Sequence, residues 1–376
     1  MGKANNVKQS QNNSYKEKVE HLMESKVVQK MFKDGKLIFG EDEIAQGDVE
    51  PIVTRFPSLN LSIGIGGLPR GKVIEISGKE GSFKSSLCWA FAADVQKNDE
   101  LVAWIDAEHA VDLHVPKMRR YFKSLGVDIN KVLLFKPDTT EEAFEAIETL
   151  FEYGVSLIVY DSIVALSNMR EADADMEKID RNTNAMSINK GLRKITPALR
   201  KYNCTLLLIN QFRVNQDRVN KYSPEFQTTG GQGLKHWCSL RLEVRAYTMK
   251  DSDKRPVGKE IYVKVIKTRF DFPRDDAQIF YFNSTGFSIV HEIATLAETW
   301  GLFKAIGRSW VYTSENFGEI KLAKTSWYDK LNSDLALREE LVERITDEYE
   351  NYFAPSSSVE MDALAEIERD DEEEEE

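Results

Sequence analysis

The stretch GKVIEISGKEGSFKS, residues 71–85, constrains the fold more than any other part of the chain. Val73, Ile74 and Ile76 lack helical spacing and predict a strand, whereas SLCWAFAADVQ, which follows the loop, has a helical apolar pattern. A strand, a glycine-bearing loop and a helix in this order direct backbone N–H groups and the positive end of a helix dipole at one point. The stretch therefore predicts a phosphate-binding loop.

This loop fits the pattern G-x-x-x-x-G-K-[ST] at all positions but one, because Phe83 stands in place of the second glycine. Gly81 supplies some of the lost backbone freedom. Lys84 would contact the β- and γ-phosphates and the Ser85 hydroxyl would bind Mg²⁺. A glycine- and serine-rich turn that carries a lysine by chance is the alternative. The residues that we expect to contact a nucleotide here are Gly78, Lys79, Glu80, Gly81, Ser82, Phe83, Lys84, Ser85 and Ser86.

The composition is typical of a globular protein, with 41% hydrophobic and 30% charged residues among 376. No apolar run reaches the roughly 20 residues that a membrane helix needs. The polar start MGKANNVKQSQNNS has no apolar signal core, so we expect a cytoplasmic protein that does not bind membranes. Cys88, Cys204 and Cys238 are far apart, which predicts reduced thiols without a disulfide or a zinc site.

The negative charge is concentrated at the C-terminal end. From Glu360 onward the chain carries eleven carboxylates and one arginine, a net of −10 out of −12, which leaves −2 for residues 1–359. A nearly neutral body does not exclude a DNA site, and the tail is a candidate mimic of nucleic acid that competes for that site. A role in solubility alone is the other interpretation.

The order of the apolar segments predicts the fold class. LVAWI, KVLLF, VSLIVY and CTLLLI predict strands that alternate with helical segments, and SLRLEVRAY, EIYVKVIKT and AQIFYF then follow as consecutive strands. This order indicates an α/β fold with a mostly parallel sheet, an antiparallel extension and helices on both faces.

We expect four parts along the chain. Residues 1–48 would form a disordered tail and a helix and strand too small to be stable alone, which dock on the core or on a neighbouring copy. Residues 49–300 would form the core, and residues 301–355 a small helical domain. Residues 356–376 would form a disordered acidic tail.

Two strands end in residues suited to a nucleotide site. Asp161 ends VSLIVYD, and the strand end would place it beside the phosphate loop as the carboxylate on the Mg²⁺ side. An ordinary aspartate at a strand end is the alternative, which the upstream loop disfavours. Asn210 and Gln211 end the strand CTLLLINQ.

The segment from Phe212 to Gly231 has no periodicity and is long for a loop inside a compact domain. Its basic and aromatic residues are typical of a surface that grips the backbone and bases of single-stranded DNA. A solvated lid without DNA contact is the alternative. The candidate residues of this segment are Arg213, Arg218, Lys221, Tyr222 and Phe226.

Several contiguous motifs between Val19 and Phe353 are shared with a known family: FGED, SLNLSIGIGGLPRGKVIEISG, IDAEHAVD, SLGVDINKV, KPDTTEEA, LIVYDSIVAL, INQ and TTGGQGLK. By these motifs the chain resembles the RecA-type homologous recombinases, and most closely the UvsX-like phage strand-exchange branch. A phenylalanine at the position of Phe83 is also a feature of that branch. The resemblance implies a RecA-like P-loop ATPase core with a small N-terminal oligomerisation unit and a small helical C-terminal domain.

The resemblance also implies roles for particular residues. Glu108 would polarise the attacking water, and Asp161 would act through the water shell of the metal. Gln211, with Asn210, would sense the γ-phosphate. Lys267 and Arg269 would reach the nucleotide of the next protomer; the arginine departs from the lysine of the family pattern, and its planar fork binds phosphate differently.

Further positions follow from the same resemblance. Asp112 and Tyr121 would lie at the nucleotide, although the segment after Asp112 is longer than in the family, so either His114 or Tyr121 could stack on adenine. The segment from Phe212 to Gly231 resembles the second DNA-binding loop of the family, and the acidic stretch after Leu166 resembles the first. Gly230, Gly231 and Lys235 would complete the DNA contacts.

The implied activity is an ATP- and Mg²⁺-dependent DNA recombinase that forms filaments on single-stranded DNA and exchanges strands with a homologous duplex. Its partners would be both DNA forms, further copies of itself, a single-strand DNA-binding protein and a loading mediator. A RecA-fold hexameric DNA helicase, or an ATP-gated DNA-binding accessory of another recombinase, are the rival interpretations. The complete set Lys84, Glu108, Asp161 and Gln211 disfavours the accessory.

Overall fold

The computed structural model describes residues 22–33, 37, 50–167, 181–214, 226–270, 275–314 and 316–353. The chain divides into two units, Met1–Glu50 and Pro51–Glu376. In the first unit, helix α1 (Lys26–Lys33) carries basic residues in its last turn. Val27 and Met31 of this helix are exposed, as is Leu22 before it. Of the strand predicted at LIFG, only Leu37 belongs to the described residues.

A ten-stranded sheet forms the centre of the second unit, and helices cover both of its faces. A short pair, β1 (Pro51–Ile52) and β2 (Leu68–Pro69), precedes it. The strands of the large sheet are β3 (Val73–Gly78), β4 (Leu101–Asp106), β5 (Val132–Phe135), β6 (Val155–Asp161), β7 (Thr205–Val214), β8 (Phe226–Thr228), β9 (Leu240–Lys250), β10 (Pro256–Thr268), β11 (Ala277–Phe282) and β12 (Gly286–Phe287).

The strand order is β12-β11-β10-β9-β3-β7-β6-β4-β5, with β8 paired to β7. Strands β3 to β7 pair in parallel, and β9 also lies parallel to β3. From β9 to β12 the pairing is antiparallel. The predicted α/β fold with a mostly parallel sheet and an antiparallel extension is therefore confirmed. Because β3, β6 and β7 are neighbours, their carboxyl ends meet at one edge of the sheet.

The sheet separates two hydrophobic cores. The helices that pack on its first face are α2 (Pro57–Ile63), α3 (Lys84–Gln96) and α4 (Pro116–Ser124). The second face carries α5 (Thr140–Glu152), α6 (Arg181–Lys201) and the short α7 (Gly231–Trp237). Cys88, Cys204 and Cys238 are buried free thiols, as the sequence predicts. Among the residues that the structure describes, no helix is long and apolar enough to cross a membrane.

The C-terminal region is less helical than its sequence predicts. It contains α8 (Ile289–Thr299), α9 (Lys324–Ser333) and α10 (Leu335–Phe353), but a three-stranded antiparallel sheet lies between α8 and α9. Its strands are β13 (Lys304–Ile306), β14 (Ser309–Ser314) and β15 (Gly318–Ala323). Glycines with positive φ lie at both connections, Gly307 between β13 and β14 and Gly318 at the start of β15. Sheet and helices share a third core around Trp310, Tyr312 and Trp327.

A buried carboxyl joins α8 to α2. Glu292 is 1% exposed, and its Oε1 accepts hydrogen bonds from the Ser58 N–H and hydroxyl, each at 2.7 Å. Its Oε2 is buried without a hydrogen-bond partner. Burial raises the pKa of Glu292 from 4.5 to about 8, although the hydrogen bonds from Ser58 oppose the shift. The native protein therefore holds a proton at neutral pH that the unfolded chain has lost.

We expect Glu292 to make stability fall as the pH rises. Its contribution is fully present below the unfolded pKa of 4.5 and is lost as the pH rises through the folded pKa of about 8. Between these values the native state binds one more proton, so the free energy of unfolding should fall by about 1.4 kcal/mol per pH unit. Urea unfolding of the wild type and of Glu292→Gln from pH 5 to pH 8 tests this. The variant should lack this slope, and the exposed control Glu339→Gln should keep it. Parallel curves for the wild type and Glu292→Gln would contradict the assignment.

Candidate nucleotide-binding site

The phosphate loop lies between the end of β3 at Gly78 and the start of α3 at Lys84. The Lys84 ammonium is buried within the loop and donates hydrogen bonds to the carbonyls of Gly78 at 3.1 Å and Lys79 at 2.8 Å. Burial lowers the pKa of Lys84, and the nearby carboxylates of Asp161 and Glu108 oppose that shift. A Cβ at Gly78 would lie 2.4 Å from the Val244 carbonyl oxygen, so only glycine fits there. Strand, loop, lysine and helix are arranged as a phosphate requires.

Phe83 occupies the position of the second glycine in the motif, and its backbone adopts a conformation that glycine favours. Its φ of 72° and ψ of 16° are left-handed, a conformation that costs an ordinary residue about 1–2 kcal/mol. The Phe83 ring packs against Tyr281 of β11, with centroids 4.9 Å apart. Tyr281 in turn packs against Phe287 of β12. The loop therefore has the backbone conformation expected of a glycine at this position. The aromatic contact with Tyr281 offsets the strain that this conformation causes in phenylalanine.

Ser85 and Asp161, the two residues predicted to bind Mg²⁺, lie in contact with each other. The Ser85 hydroxyl donates to Asp161 Oδ2 at 2.9 Å across the edge of the sheet. Burial raises the pKa of Asp161 to about 6; the hydrogen bond from Ser85 opposes this shift, and the charge of Glu108 adds to it. A hydroxyl and a carboxylate beside a phosphate loop are the oxygen ligands that Mg²⁺ prefers. These residues fit an Mg²⁺–triphosphate group.

The carboxylate of Glu108 is held from two sides. The Gln211 side-chain amide donates to Glu108 Oε1 at 3.0 Å, and the Ser162 hydroxyl donates to the same oxygen at 2.6 Å. The buried Asp106 fixes the turn below it by accepting the N–H groups of Ala110 and Val111, both at 2.9 Å. The structure thus brings together Glu108 and Gln211, which lie 103 residues apart in the chain.

The two residues expected near the base differ in their surroundings. Tyr121, on α4, reaches the start of α3 and donates its hydroxyl proton to the Ser86 hydroxyl at 2.6 Å. Burial raises the pKa of Tyr121. Asp112 is exposed and accepts the N–H of His114, which is exposed as well. Contact of Asp112 and of Tyr121 or His114 with adenine stays a prediction.

Asn210, which precedes Gln211 on β7, belongs to a group of buried polar side chains that the sequence analysis did not predict. Its amide donates to Glu75 Oε1 at 2.7 Å and to the Thr229 carbonyl at 2.9 Å. Glu75, in the middle of β3, also forms an ion pair with Arg241 of β9. The signal was present, because a glutamate inside the apolar run VIEIS and an arginine inside SLRLEV need buried partners.

Similarity to known proteins identifies the family of this chain. A model of the RecA N-terminal domain matches residues 19–288. The chain belongs to the RecA family. It is 36% identical to the protein RecA of Fusobacterium nucleatum over 312 residues, which cover 82% of this chain and 78% of that protein. It is 34% identical to the proteins RecA of Helicobacter acinonychis and Helicobacter pylori over 324 residues, 86% of this chain and 90% of theirs.

In this RecA-family chain, the two cations expected to act on a neighbouring nucleotide hold helix α7. Lys267, near the end of β10, donates to the Lys235 carbonyl at 2.6 Å, and Arg269 donates to the His236 carbonyl at 2.6 Å. Lys235 and His236 lie in the last turn of α7, where the helix dipole favours positive charge. Burial, and then the neighbouring Arg269, lower the pKa of Lys267.

The segment predicted to bind DNA is described only at its two ends. Strand β7 continues past Gln211 to the exposed Arg213, and β8 returns beside it. Gly230 and Gly231 then adopt positive φ values of 92° and 75°, and the half-buried Lys235 follows on α7. Contact of these residues with DNA remains a prediction. Arg218, Lys221, Tyr222, the side chain of Phe226 and the acidic stretch from Asn168 to Asp180 lie outside the described residues.

We expect the left-handed backbone of Phe83 to separate two substitutions. Phe83→Ala and Phe83→Gly both lose the contact with Tyr281, but only glycine adopts this backbone without strain. Without the Tyr281 contact, the strained loop of Phe83→Ala should leave this conformation when no phosphate is bound. The cost of about 1–2 kcal/mol for restoring it should make ATP bind about tenfold more tightly to Phe83→Gly than to Phe83→Ala. Equilibrium binding of a fluorescent ATP analogue with Mg²⁺ measures this.

The control uses the same backbone elsewhere. Lys254, in the exposed turn between β9 and β10, has a φ of 63°. Lys254→Ala and Lys254→Gly should both bind ATP as the wild type does. Equal ATP affinities of the two Phe83 variants would show that strain at this position does not control the loop.

Proposed function

We infer that this chain is an ATP-dependent DNA recombinase, which binds single-stranded DNA as a filament and exchanges it with a homologous duplex. Family membership over most of the chain supports this function. The hydrogen bond from Gln211 to Glu108 carries the proposal, because Gln211 lies on β7, the strand that continues into the DNA-binding segment of the family. One side chain thus contacts the hydrolytic carboxylate at the start of that segment.

The site would hold ATP and Mg²⁺ through residues of one protomer. Lys84 and the N–H groups of the loop bind the phosphates, and Ser85 and Asp161 lie on the Mg²⁺ side. When bound, Mg²⁺ neutralises the charge that develops on the γ-phosphoryl group during transfer to water. Ser162 and Gln211 fix Glu108 through one oxygen, so its other oxygen can accept a hydrogen bond from the attacking water and orient it.

Gln211 would couple hydrolysis to DNA binding. While a γ-phosphate is present, Gln211 and Glu108 both face it, and the segment after β7 is held in the state that binds DNA. After hydrolysis, Gln211 loses that partner and the segment loosens its hold. The coupling requires only that Gln211 has two positions, since a change at its side chain is passed directly to the strand that precedes the DNA-binding segment.

The filament would be built from several parts of the chain. The unit of residues 1–48 docks on a neighbouring protomer, and the exposed Leu22, Val27 and Met31 supply apolar surface for that contact. Lys267 and Arg269 reach the nucleotide of the neighbour. Residues 49–300 form the ATPase core, residues 301–355 a C-terminal domain, and residues 356–376 an acidic tail that competes with DNA.

The finer identity is a UvsX-like recombinase of the phage branch. It rests on Phe83 in the phosphate loop and on the motifs that surround it. Such a protein works in the cytoplasm with a single-strand DNA-binding protein and a loading mediator. The hexameric helicase and the ATP-gated accessory are the alternatives to be separated by experiment.

A strand-exchange assay with electron microscopy, with and without ATP, tests the proposed function. We expect joint molecules between single-stranded DNA and a homologous duplex, and open helical filaments, only when ATP is present. Closed rings that translocate along DNA would indicate the helicase instead. DNA binding gated by ATP without strand exchange would indicate the accessory.

Replacement of Glu108 by glutamine should separate ATP binding from hydrolysis. Glu108→Gln keeps the hydrogen bond with Ser162 but cannot polarise water as a carboxylate does. We expect kcat for DNA-stimulated ATP hydrolysis to fall at least about 100-fold, with ATP affinity unchanged. The exposed control Glu339→Gln on α10 should keep full turnover. Normal turnover in Glu108→Gln would remove Glu108 from the reaction.

A further inference from the structure

The buried ion pair of Glu75 and Arg241 is a feature that stability alone does not explain. Glu75 is 0% exposed, and Arg241 lies opposite it in the register of β3 and β9. An apolar pair of similar volume often stabilises a core as well as, or better than, a buried ion pair. Directional hydrogen bonds can instead fix the relative positions of the elements that carry them. The partners of this pair therefore indicate its role.

The first partner is Asn210, whose side-chain amide is fully used. Its nitrogen donates to Glu75 and to the Thr229 carbonyl, and its oxygen accepts the Gln211 N–H at 2.8 Å and the Thr229 hydroxyl at 2.7 Å. With two donated and two accepted bonds, the amide has one orientation that satisfies all of its partners. Asn210 thereby fixes both the backbone of Gln211 and the position of Thr229.

The second connection runs from Thr229 into helix α7. Arg241 donates a further hydrogen bond to the Thr228 hydroxyl at 3.3 Å. Thr229 is followed by Gly230, whose left-handed backbone begins α7. This helix packs closely on α6, since a Cβ at Gly233 would lie 1.9 Å from Asn189 Oδ1. The polar group therefore fixes the residues that lead into a closely packed helix.

The C-terminal end of α7 binds the two cations Lys267 and Arg269. The carbonyls of Lys235 and His236 accept the hydrogen bonds of Lys267 and Arg269. A continuous series of short contacts thus joins Glu108, Gln211, the buried polar group, α7 and these cations. Each contact lies within one chain and among described residues.

We propose that Glu75, Arg241, Asn210 and Thr229, here called the buried polar cluster, form a positioning unit for the nucleotide site. The cluster fixes the position of Gln211 relative to α7. Gln211, which acts on the protomer's own nucleotide, is therefore held in a fixed position relative to Lys267 and Arg269, which act on the neighbour's nucleotide. The proposal rests on the proposed function for the roles of Gln211, Lys267 and Arg269. It assigns new roles to Glu75, Arg241 and Thr229, which act through these residues and touch no nucleotide.

Thr229 offers the mildest test, because valine has nearly the same shape and lacks the hydroxyl. We expect Thr229→Val to lower kcat for ATP hydrolysis about tenfold and to leave KM within about twofold, since the phosphate loop is unchanged. Thr229→Ser keeps a hydroxyl and should restore most of the rate. The control Thr346→Val on α10 also removes a partly buried hydroxyl, which donates to the Val342 carbonyl, and it should have no effect on kcat.

Double-mutant cycles show whether Thr229 acts through the two proposed routes. In a Gln211→Ala background, and separately in a background of Lys267→Met with Arg269→Met, the loss caused by Thr229→Val should shrink from about tenfold to about threefold, because only the other route remains. A merely structural role would leave the tenfold loss in both backgrounds. An undiminished loss in either background overturns the proposal, as does a full rate in Thr229→Val itself.

The ion pair is tested by replacing both partners, because removal of one would leave a buried charge. Glu75→Leu with Arg241→Met should fold and should lower kcat about as much as Thr229→Val. The control is the pair Arg55 and Asp94, which is similarly buried and involves Asp94 near the C-terminal end of α3, away from the phosphate loop at its start. Arg55→Met with Asp94→Leu should keep kcat. Equal rates for the two double variants would overturn the proposal.

Failure of this proposal and failure of the proposed function give different results. The Gln211 cycle concerns one protomer and can be measured on ATP hydrolysis without DNA, whether or not the wild type exchanges strands. A wild type that hydrolyses ATP but forms no filament and no joint molecule would refute the recombinase, while the Gln211 cycle would still report on the cluster. A recombinase with additive cycles would refute the cluster alone.

Discussion

The hydrogen bond between Gln211 and Glu108 is the interaction on which the rest of the site depends. It joins the end of β7 to the turn after β4, and it can form because β7, β6 and β4 are successive parallel strands with their carboxyl ends at one edge. Lys84 and Ser85 approach that edge from the phosphate loop, and Asp161 approaches it from β6. A parallel sheet thus brings together polar residues from four separate parts of the sequence: the phosphate loop, the turn after β4, and the ends of β6 and β7.

The same edge explains how a small chemical change can reach a distant surface. Gln211 is followed on β7 by the segment that we propose binds DNA, and Asn210, which precedes it, is fixed by the buried polar cluster. In the proposed mechanism, a change in the γ-phosphate alters one side chain that is connected to both. Because the cluster and α7 are closely packed, such a change shifts these elements together and is not absorbed locally.

Much of this could be predicted from the sequence, and the exceptions have physical reasons. Long apolar runs with polar ends identified the sheet and placed Asp161 and Gln211, since strand ends are well defined by composition. Backbone conformation is not visible in a motif, so Phe83 looked like a defect although its left-handed backbone meets the requirement. The pairing of Glu75 with Arg241 depends on which strands are neighbours in the sheet, and these two residues lie 166 positions apart in the sequence. The sheet between Lys304 and Ala323 was not predicted, because its strands have only three to six residues and lie between segments with helical spacing.

The affinity for single-stranded DNA in different nucleotide states tests the central claim most directly. The dissociation constant should be measured with a hydrolysis-resistant ATP analogue, with ADP and without nucleotide, at one salt concentration, because phosphate contacts depend strongly on salt. We predict that the analogue tightens DNA binding at least about tenfold over ADP, and that Gln211→Ala removes the difference while ATP still binds. Equal DNA affinity in all three states of the wild type would contradict the account, even if the protein hydrolyses ATP.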